Sequence, residues 1–189
     1  MSSLNLIEVQ NTEITSQTKQ WIEEIVIGLN FCPFAKKTFD KGAICFVIEN
    51  SAEKEQQLKS LIENLNYLQN HSEVETSFIV YNNGVEGFYD YLDLLDEANQ
   101  VLVDYNFEGI FQIASFHPDY CFEGNVDEAV ENYTNRSPYP MLHILREASL
   151  EKALERYKNP EEIPIKNIEC AKSKGIGFFQ AMLNKIKNN

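Results

Sequence analysis

The chain has 189 residues, with 43% hydrophobic and 24% charged residues, which suits one globular domain of roughly 100–200 residues. Its 16 Lys and Arg against 29 Asp and Glu give a net charge of −13. This excess of acid argues against nucleic acid and anionic membranes as partners, because both need a basic surface. The chain start lacks the basic and apolar segments of a secretory leader. We therefore predict a soluble, cytoplasmic single domain over residues 1–189, with a flexible tail over residues 1–14.

Apolar periodicity predicts helices and strands that alternate along the first two thirds of the chain. They are a helix over 15–29, a strand over Ala43–Glu49, a helix over 51–70, a strand over Thr76–Tyr81, a helix over 86–105 and a strand over Ile110–Phe116. The rest is predicted as the short helices Val126–Asn135 and Pro138–Glu147, followed by helical segments over 149–158 and 160–187.

This order gives a β-α-β-α-β core between residues 43 and 116. Helices of about 20 residues are long enough to cross over between parallel strands. The strands are continuously apolar, as expected when helices cover both faces of a sheet. We predict an α/β fold with a small, at least partly parallel sheet layered with helices and a helical C-terminal part. An antiparallel, ferredoxin-like α+β arrangement is the alternative.

The uncommon side chains gather in one segment. The chain has three histidines and three arginines, and His117, His143, Arg136 and Arg146 all lie within residues 117–147. This segment begins where the third predicted strand ends, and ligands of open α/β sheets bind outside the carboxyl ends of strands. We therefore expect a pocket at that edge of the sheet, with these side chains around it.

Three sequence blocks carry a family resemblance. They are FCPFAK from Phe31, ASFHPDY from Ala114 and ENYTNRSPYP from Glu131, the last followed by Leu142-His143 and Leu145-Arg146-Glu147. Together they resemble the signature blocks of the bacterial and plastid family called domain of unknown function 1415, from about residue 15 to about residue 175. That family has no established activity, so the resemblance implies only that the blocks belong together.

His117, Asp119 and His143 are the residue types of a metal site. A His-x-Asp pair with a distant His suits ferrous iron, and zinc with an open water position would use the same ligands. Glu147 lies four residues after His143, on the same face of the predicted helix, and would add an oxygen ligand or complete an acid–base pair. Metal-free acid–base catalysis and purely structural roles are the alternatives. The sequence therefore leaves open whether the chain binds a divalent zinc or iron ion as a cofactor.

Arg136 and Arg146 are candidates for binding a substrate anion, because guanidinium groups bind carboxylate and phosphate bidentately. Asn132 and Tyr120 are further candidates for substrate binding. Pairing of each arginine with an acidic side chain is the alternative.

Cys32 lies close to two lysines that would lower the pKa of its thiol, which makes it a candidate nucleophile. Its alternative role is that of a small buried apolar side chain.

These residues together predict an enzyme that acts on a small anionic metabolite by His and carboxylate acid–base chemistry, with or without a metal. The competing prediction is a non-catalytic domain that binds a small anion or a partner.

Overall fold

The computed structural model describes residues 12–188. The strands are β1 (Ile44–Glu49), β2 (Thr76–Tyr81), β3 (Phe111–Phe116) and β4 (Met141–Arg146). The helices are α1 (Thr12–Trp21), α2 (Ala35–Asp40), α3 (Lys54–Asn70), α4 (Phe88–Asp104), α5 (Glu147–Glu155), α6 (Ile163–Lys174) and α7 (Ile176–Lys187). The first three strands and the two helices between them lie within about three residues of their predicted bounds.

The strands form one mixed sheet in the order β1-β2-β4-β3. β1 and β2 are parallel, with Ile44 opposite Thr76, and β4 is antiparallel to both β2 and β3. The α/β prediction with a partly parallel sheet is therefore confirmed, and the wholly antiparallel alternative is wrong. Because β1, β2 and β3 run in the same direction, they all end at one edge of the sheet, which we call the carboxyl edge.

The segment Pro138–Glu147 was predicted as a helix, and this prediction is wrong. Met141–Arg146 forms β4 in the interior of the sheet. A strand covered on both faces is apolar throughout and lacks the alternation that identifies a half-exposed strand. The Ser137 hydroxyl, directly before this segment, donates to the carbonyl of Tyr139 at 2.6 Å.

Helices cover both faces of the sheet. On one face α3 and α4 pack through residues such as Leu65 and Leu94 onto Ile79 of β2. On the other face α1, α6 and α7 pack through residues such as Trp21 and Phe179 onto Phe78. The two cores are separate because alternate side chains of each strand point to opposite faces.

The remaining predicted segments differ in detail. The predicted helix over 15–29 is α1 followed by a π-helical turn, Ile22–Ile27. The predicted helix Val126–Asn135 is reduced to one 3₁₀ turn, Val130–Thr134. The predicted flexible tail falls outside the described residues up to residue 11, whereas residues 12–14 already belong to α1. Across residues 12–188, no helix combines the length and the apolar character that crossing a membrane requires.

Candidate functional site

A cleft of about 240 Å³ lies at the carboxyl edge of the sheet, where a pocket was predicted. We call it the carboxyl-edge cleft. Its polar lining residues include Tyr81, Asn82, Asn83, Glu86, Tyr139 and Lys187. None of the nine residues that were predicted from the sequence to form a functional site is among the described residues that line this cleft.

The cleft exists because the chain must cross the sheet to insert β4 between β2 and β3. Residues 137–140, which we call the crossover segment, run over the ends of the strands before β4 begins. The backbone N–H of Tyr81 donates to the carbonyl of Pro140 at 2.9 Å, which fixes the crossover segment to the end of β2. Pro138 and Pro140 have no N–H to donate, so they leave no unsatisfied backbone donor in this wall.

The opposite wall is the turn after β2. The side-chain amides of Asn82 and Asn83 donate to the side chain and backbone of Asn50, each at 2.9 Å, which fixes this turn to the end of β1. Gly84 has a φ of +87°, and a Cβ there would lie 2.7 Å from the Cα of Ala52. Only glycine fits such a left-handed, closely approached position. The Glu86 carboxylate accepts the Gly84 N–H at 3.1 Å and so places a negative charge beside the cleft.

Lys187 supplies the positive charge. Its ammonium lies 5.1 Å from the centre of the Tyr139 ring, within the range of a cation–π contact. Within the described part of the chain it forms no ion pair, whereas Lys185 of the same helix pairs with Glu24 at 3.1 Å. The Tyr139 hydroxyl donates to the side chain of Gln17, and burial together with the charge of Glu13 raises the pKa of Tyr139.

His117 is fully buried on the α4 side of the sheet, 5.1 Å from the ring of Tyr91. Its Nδ1 accepts the backbone N–H of Asp119 at 3.0 Å, so its Nε2 carries the proton and donates to the Val85 carbonyl at 3.1 Å. Burial lowers the pKa of His117. Both ring nitrogens are thus occupied by the backbone, and neither is available for a metal or a substrate proton.

His143 lies on the opposite face of the sheet. Its ring stacks on Phe78 with 3.9 Å between the ring centres. The Thr76 hydroxyl donates to the carbonyl of Ile144 at 2.5 Å and therefore accepts from His143 Nε2, 2.7 Å away. Burial lowers the pKa of His143 to about 3, so the ring is neutral at ordinary pH.

These placements correct the predicted shared site. His117 faces α4 and His143 faces the aromatic cluster around Trp21, so the sheet separates them. Asp119 is exposed, and what binds His117 is its backbone rather than its carboxylate. Among residues 12–188, no three His, Cys, Asp or Glu side chains are grouped as a metal site requires. In this fold, therefore, His117, Asp119 and His143 do not surround a common zinc or iron ion.

Glu147 does not share a helix face with His143 either. His143 belongs to β4, whereas Glu147 begins α5, and its backbone N–H donates to the carbonyl of Ile110 at 3.0 Å. The predicted acid–base pair of His143 and Glu147 depended on a helix that the chain does not form.

Arg136 lies at the end of the loop that follows β3 and forms hydrogen bonds within that loop. Its Nε donates to the carbonyl of Tyr120 at 3.1 Å and its Nη2 to that of Asp127 at 2.7 Å. Its guanidinium also lies 4.6 Å from the centre of the Tyr133 ring. These contacts are to neutral groups of the loop, and Arg136 forms no ion pair with an acidic side chain of residues 12–188.

We expect Arg136→Lys to lower the free energy of unfolding by about 1–2 kcal/mol, because one ammonium cannot reach both carbonyls and stack on Tyr133. Phosphate binding, measured by titration on folded protein, should stay within about twofold of the wild type. Arg156→Lys, at an exposed position, is the matched control. A variant of normal stability that has lost phosphate binding would instead support the predicted anion-binding role.

Arg146 lies at the other end of β4. It donates to the carbonyls of Leu68 at 2.5 Å, in the last turn of α3, and of His71 at 3.1 Å and Val74 at 3.0 Å, just past the end of that helix. The six residues of β4 lie between the crossover segment and the end of the strand where Arg146 lies, a distance of about 17 Å along the strand. Arg136 and Arg146 therefore cannot bind one small anion together.

Asn132 and Tyr120 organise the same loop as Arg136. The buried Asn132 side chain accepts from the Phe122 backbone at 3.2 Å and donates to the Val126 carbonyl at 2.9 Å. Tyr120 packs on Phe122 with 4.9 Å between the ring centres. Substrate binding by either residue stays a prediction.

Cys32 follows the π-helical turn and is half-buried. Burial raises the pKa of its thiol, although the backbone amides of Phe34 and Ala35 act in the opposite direction. A raised pKa keeps the thiol protonated, which disfavours a nucleophilic role.

The residues that line the cleft were missed for two reasons. Asn82 and Asn83 directly follow a predicted strand, which is a signal for the carboxyl edge, but asparagine is equally typical of an ordinary turn that ends a strand. Lys187 carries no such signal, because the packing of α7 against α1 is what brings it to the cleft.

The sequence model of one protein family, described as "Protein of unknown function (DUF1415)", matches residues 13–181. No curated protein and no solved structure matches the chain.

Proposed function

The chain belongs to the DUF1415 family, and we propose that it binds a small metabolite with a carboxylate or phosphate group in the carboxyl-edge cleft. The observation that carries this proposal is the Lys187 ammonium, which lines the cleft and pairs with no carboxylate of residues 12–188. A lysine ammonium is a point charge that attracts either anion. The cleft also lies outside the carboxyl ends of strands, where α/β sheets bind their ligands.

The size of the cleft limits the ligand. At about 240 Å³ it is smaller than the about 300–1,000 Å³ of pockets for drug-sized molecules. Tyr139, Pro138 and Pro140 give it an apolar wall beside the charged groups. Glu86 adds a negative charge, which favours a ligand that carries an amino group as well as the anion. These features together suit a small amphoteric metabolite.

Binding is better supported than acid–base catalysis by histidine. His117 has both ring nitrogens hydrogen-bonded to the backbone, and His143 lies on the far side of the sheet from it. Neither residue lines the carboxyl-edge cleft. An enzymatic activity would need a different set of groups, and among the lining residues only Glu86, Lys187 and the tyrosines have titratable side chains.

Titration followed by proton–nitrogen NMR tests the proposal, with acetate, inorganic phosphate and glycine as probes. We expect each probe to shift the amides of Asn82, Asn83 and Lys187, and glycine to bind at least as tightly as acetate because Glu86 accepts from its ammonium. Lys187→Gln should weaken phosphate and acetate binding about tenfold, or about 1.4 kcal/mol. The loss is moderate because the ammonium is exposed and screened by salt.

Lys185→Gln is the matched control, since it removes the same charge from the same helix outside the cleft. It should change phosphate affinity by less than about twofold. An equal loss in both variants would show that only the overall charge matters. Unchanged affinity in Lys187→Gln would overturn the assignment of the anion to Lys187.

A further inference from the structure

Four polar side chains of α3 and β2 are buried without a hydrogen-bond partner among the described residues. They are Ser60, Asn64, Ser77 and Tyr81, which are between 0% and 3% exposed. Five of their atoms are unpaired, namely the three hydroxyl oxygens and both polar atoms of the Asn64 amide. We call these four side chains the polar layer.

The polar layer joins two packed elements. Ser60 and Asn64 lie one turn apart on the buried face of α3. Ser77 and Tyr81 point to the same face of β2 as Ile79, which contacts the core beneath α3. Both pairs therefore face the core that α3, α4 and β2 share, whose other buried members are apolar side chains and the hydrogen-bonded Tyr91.

The five unpaired atoms would strongly destabilise the folded state if no water molecule were bound to them. Each buried donor or acceptor without a partner loses its hydration, and five such losses together approach the whole stability of a typical domain. Buried polar atoms in native proteins are therefore nearly always satisfied by protein or by ordered water.

We propose that the polar layer is a binding site for at least two ordered water molecules that bridge α3 and β2. One buried water makes at most about four hydrogen bonds, whereas five atoms of the polar layer lack a partner among the described residues. A single molecule therefore cannot satisfy all five atoms.

The chemistry of the layer selects a neutral molecule that both donates and accepts. None of the four side chains carries a charge, since burial and the nearby Glu49 raise the pKa of Tyr81 and keep its hydroxyl protonated. The Asn64 amide and the hydroxyls present donors and acceptors together. Tyr81 belongs to the polar layer and also lines the carboxyl-edge cleft, so the layer and the cleft are neighbours at the end of β2.

A high-resolution crystal structure and magnetic relaxation dispersion of water oxygen test this proposal. In the crystal structure we expect density for at least two waters that are hydrogen-bonded within the polar layer. In Asn64→Leu we expect the dispersion amplitude to fall by the amount that corresponds to at least one long-lived water. Thr18→Val is the matched control, because it removes a buried hydroxyl that donates to the Ile14 carbonyl at 2.8 Å within the protein. It should leave the amplitude unchanged.

Direct hydrogen bonds among the four side chains, with no water density between them, would overturn the proposal. The same dispersion amplitude in the wild type and in Asn64→Leu would also overturn it. Where Asn64→Leu does not fold, Ser77→Ala replaces it, with the same expected loss. These results do not depend on whether the cleft binds an anion, so the two proposals can fail separately.

Discussion

Arg146→Met is expected to lower the free energy of unfolding by about 3–4 kcal/mol, because a hydrogen bond from a charged donor contributes about 1.5–3 kcal/mol. Arg146 donates to three carbonyls between Leu68 and Val74, where α3 ends and its last carbonyls lack helical partners. Methionine keeps much of the apolar stem but supplies no donor. Chemical denaturation at neutral pH measures the change.

The same substitution at the exposed Arg156 is the control, and it should change stability by less than about 0.5 kcal/mol. Arg146→Lys should recover only part of the loss, since one ammonium cannot reproduce the planar set of donors. Normal stability in Arg146→Met, together with loss of anion binding, would favour the substrate-binding role predicted from the sequence.

The sequence predicted β1, β2 and β3 well because each strand is a short apolar run with a clear end. Asn50 follows β1, and Asn82-Asn83-Gly84 follows β2. β4 carried no such local signal. Its place between β2 and β3 depends on pairing with Thr76–Val80 and Phe111–Phe116, which lie far away in the sequence. Local periodicity cannot report such a contact.

The cleft at the carboxyl edge was predicted better than the residues that line it. The carboxyl edge follows from strand direction, which the β-α-β-α-β order already implies. The backbones of His117 and Arg136 do pair in a β-bridge, but the clustering of His143 and Arg146 with them in the sequence was misleading for a geometric reason. Successive residues of a strand lie about 3.4 Å apart, and their side chains point to alternate faces of the sheet. Neighbours in sequence along β4 were therefore spread over its length and over both faces.

Acidification provides a test of the buried neutral state of His143. An unfolded histidine has a pKa of about 6.5, whereas burial lowers that of His143 to about 3 in the folded protein. Unfolding below pH 6.5 therefore takes up a proton, so the stability that depends on neutral His143 is present above about pH 6.5 and is lost as the pH falls toward 3. The lowered pKa of His117 acts in the same direction.

Between about pH 7.5 and pH 4, His143 alone should remove about 3 kcal/mol of stability, at about 1.4 kcal/mol per pH unit below 6.5. His143→Phe should weaken the pH dependence by this amount, because phenylalanine keeps the stack on Phe78 and takes up no proton. The Thr76 hydroxyl still donates to the Ile144 carbonyl in that variant, so no buried donor is left unpaired. Carboxylates titrate in both proteins and cancel in the difference. Denaturation curves across this range measure the effect, and identical pH profiles for the two proteins would show that His143 is charged or exposed in the folded state.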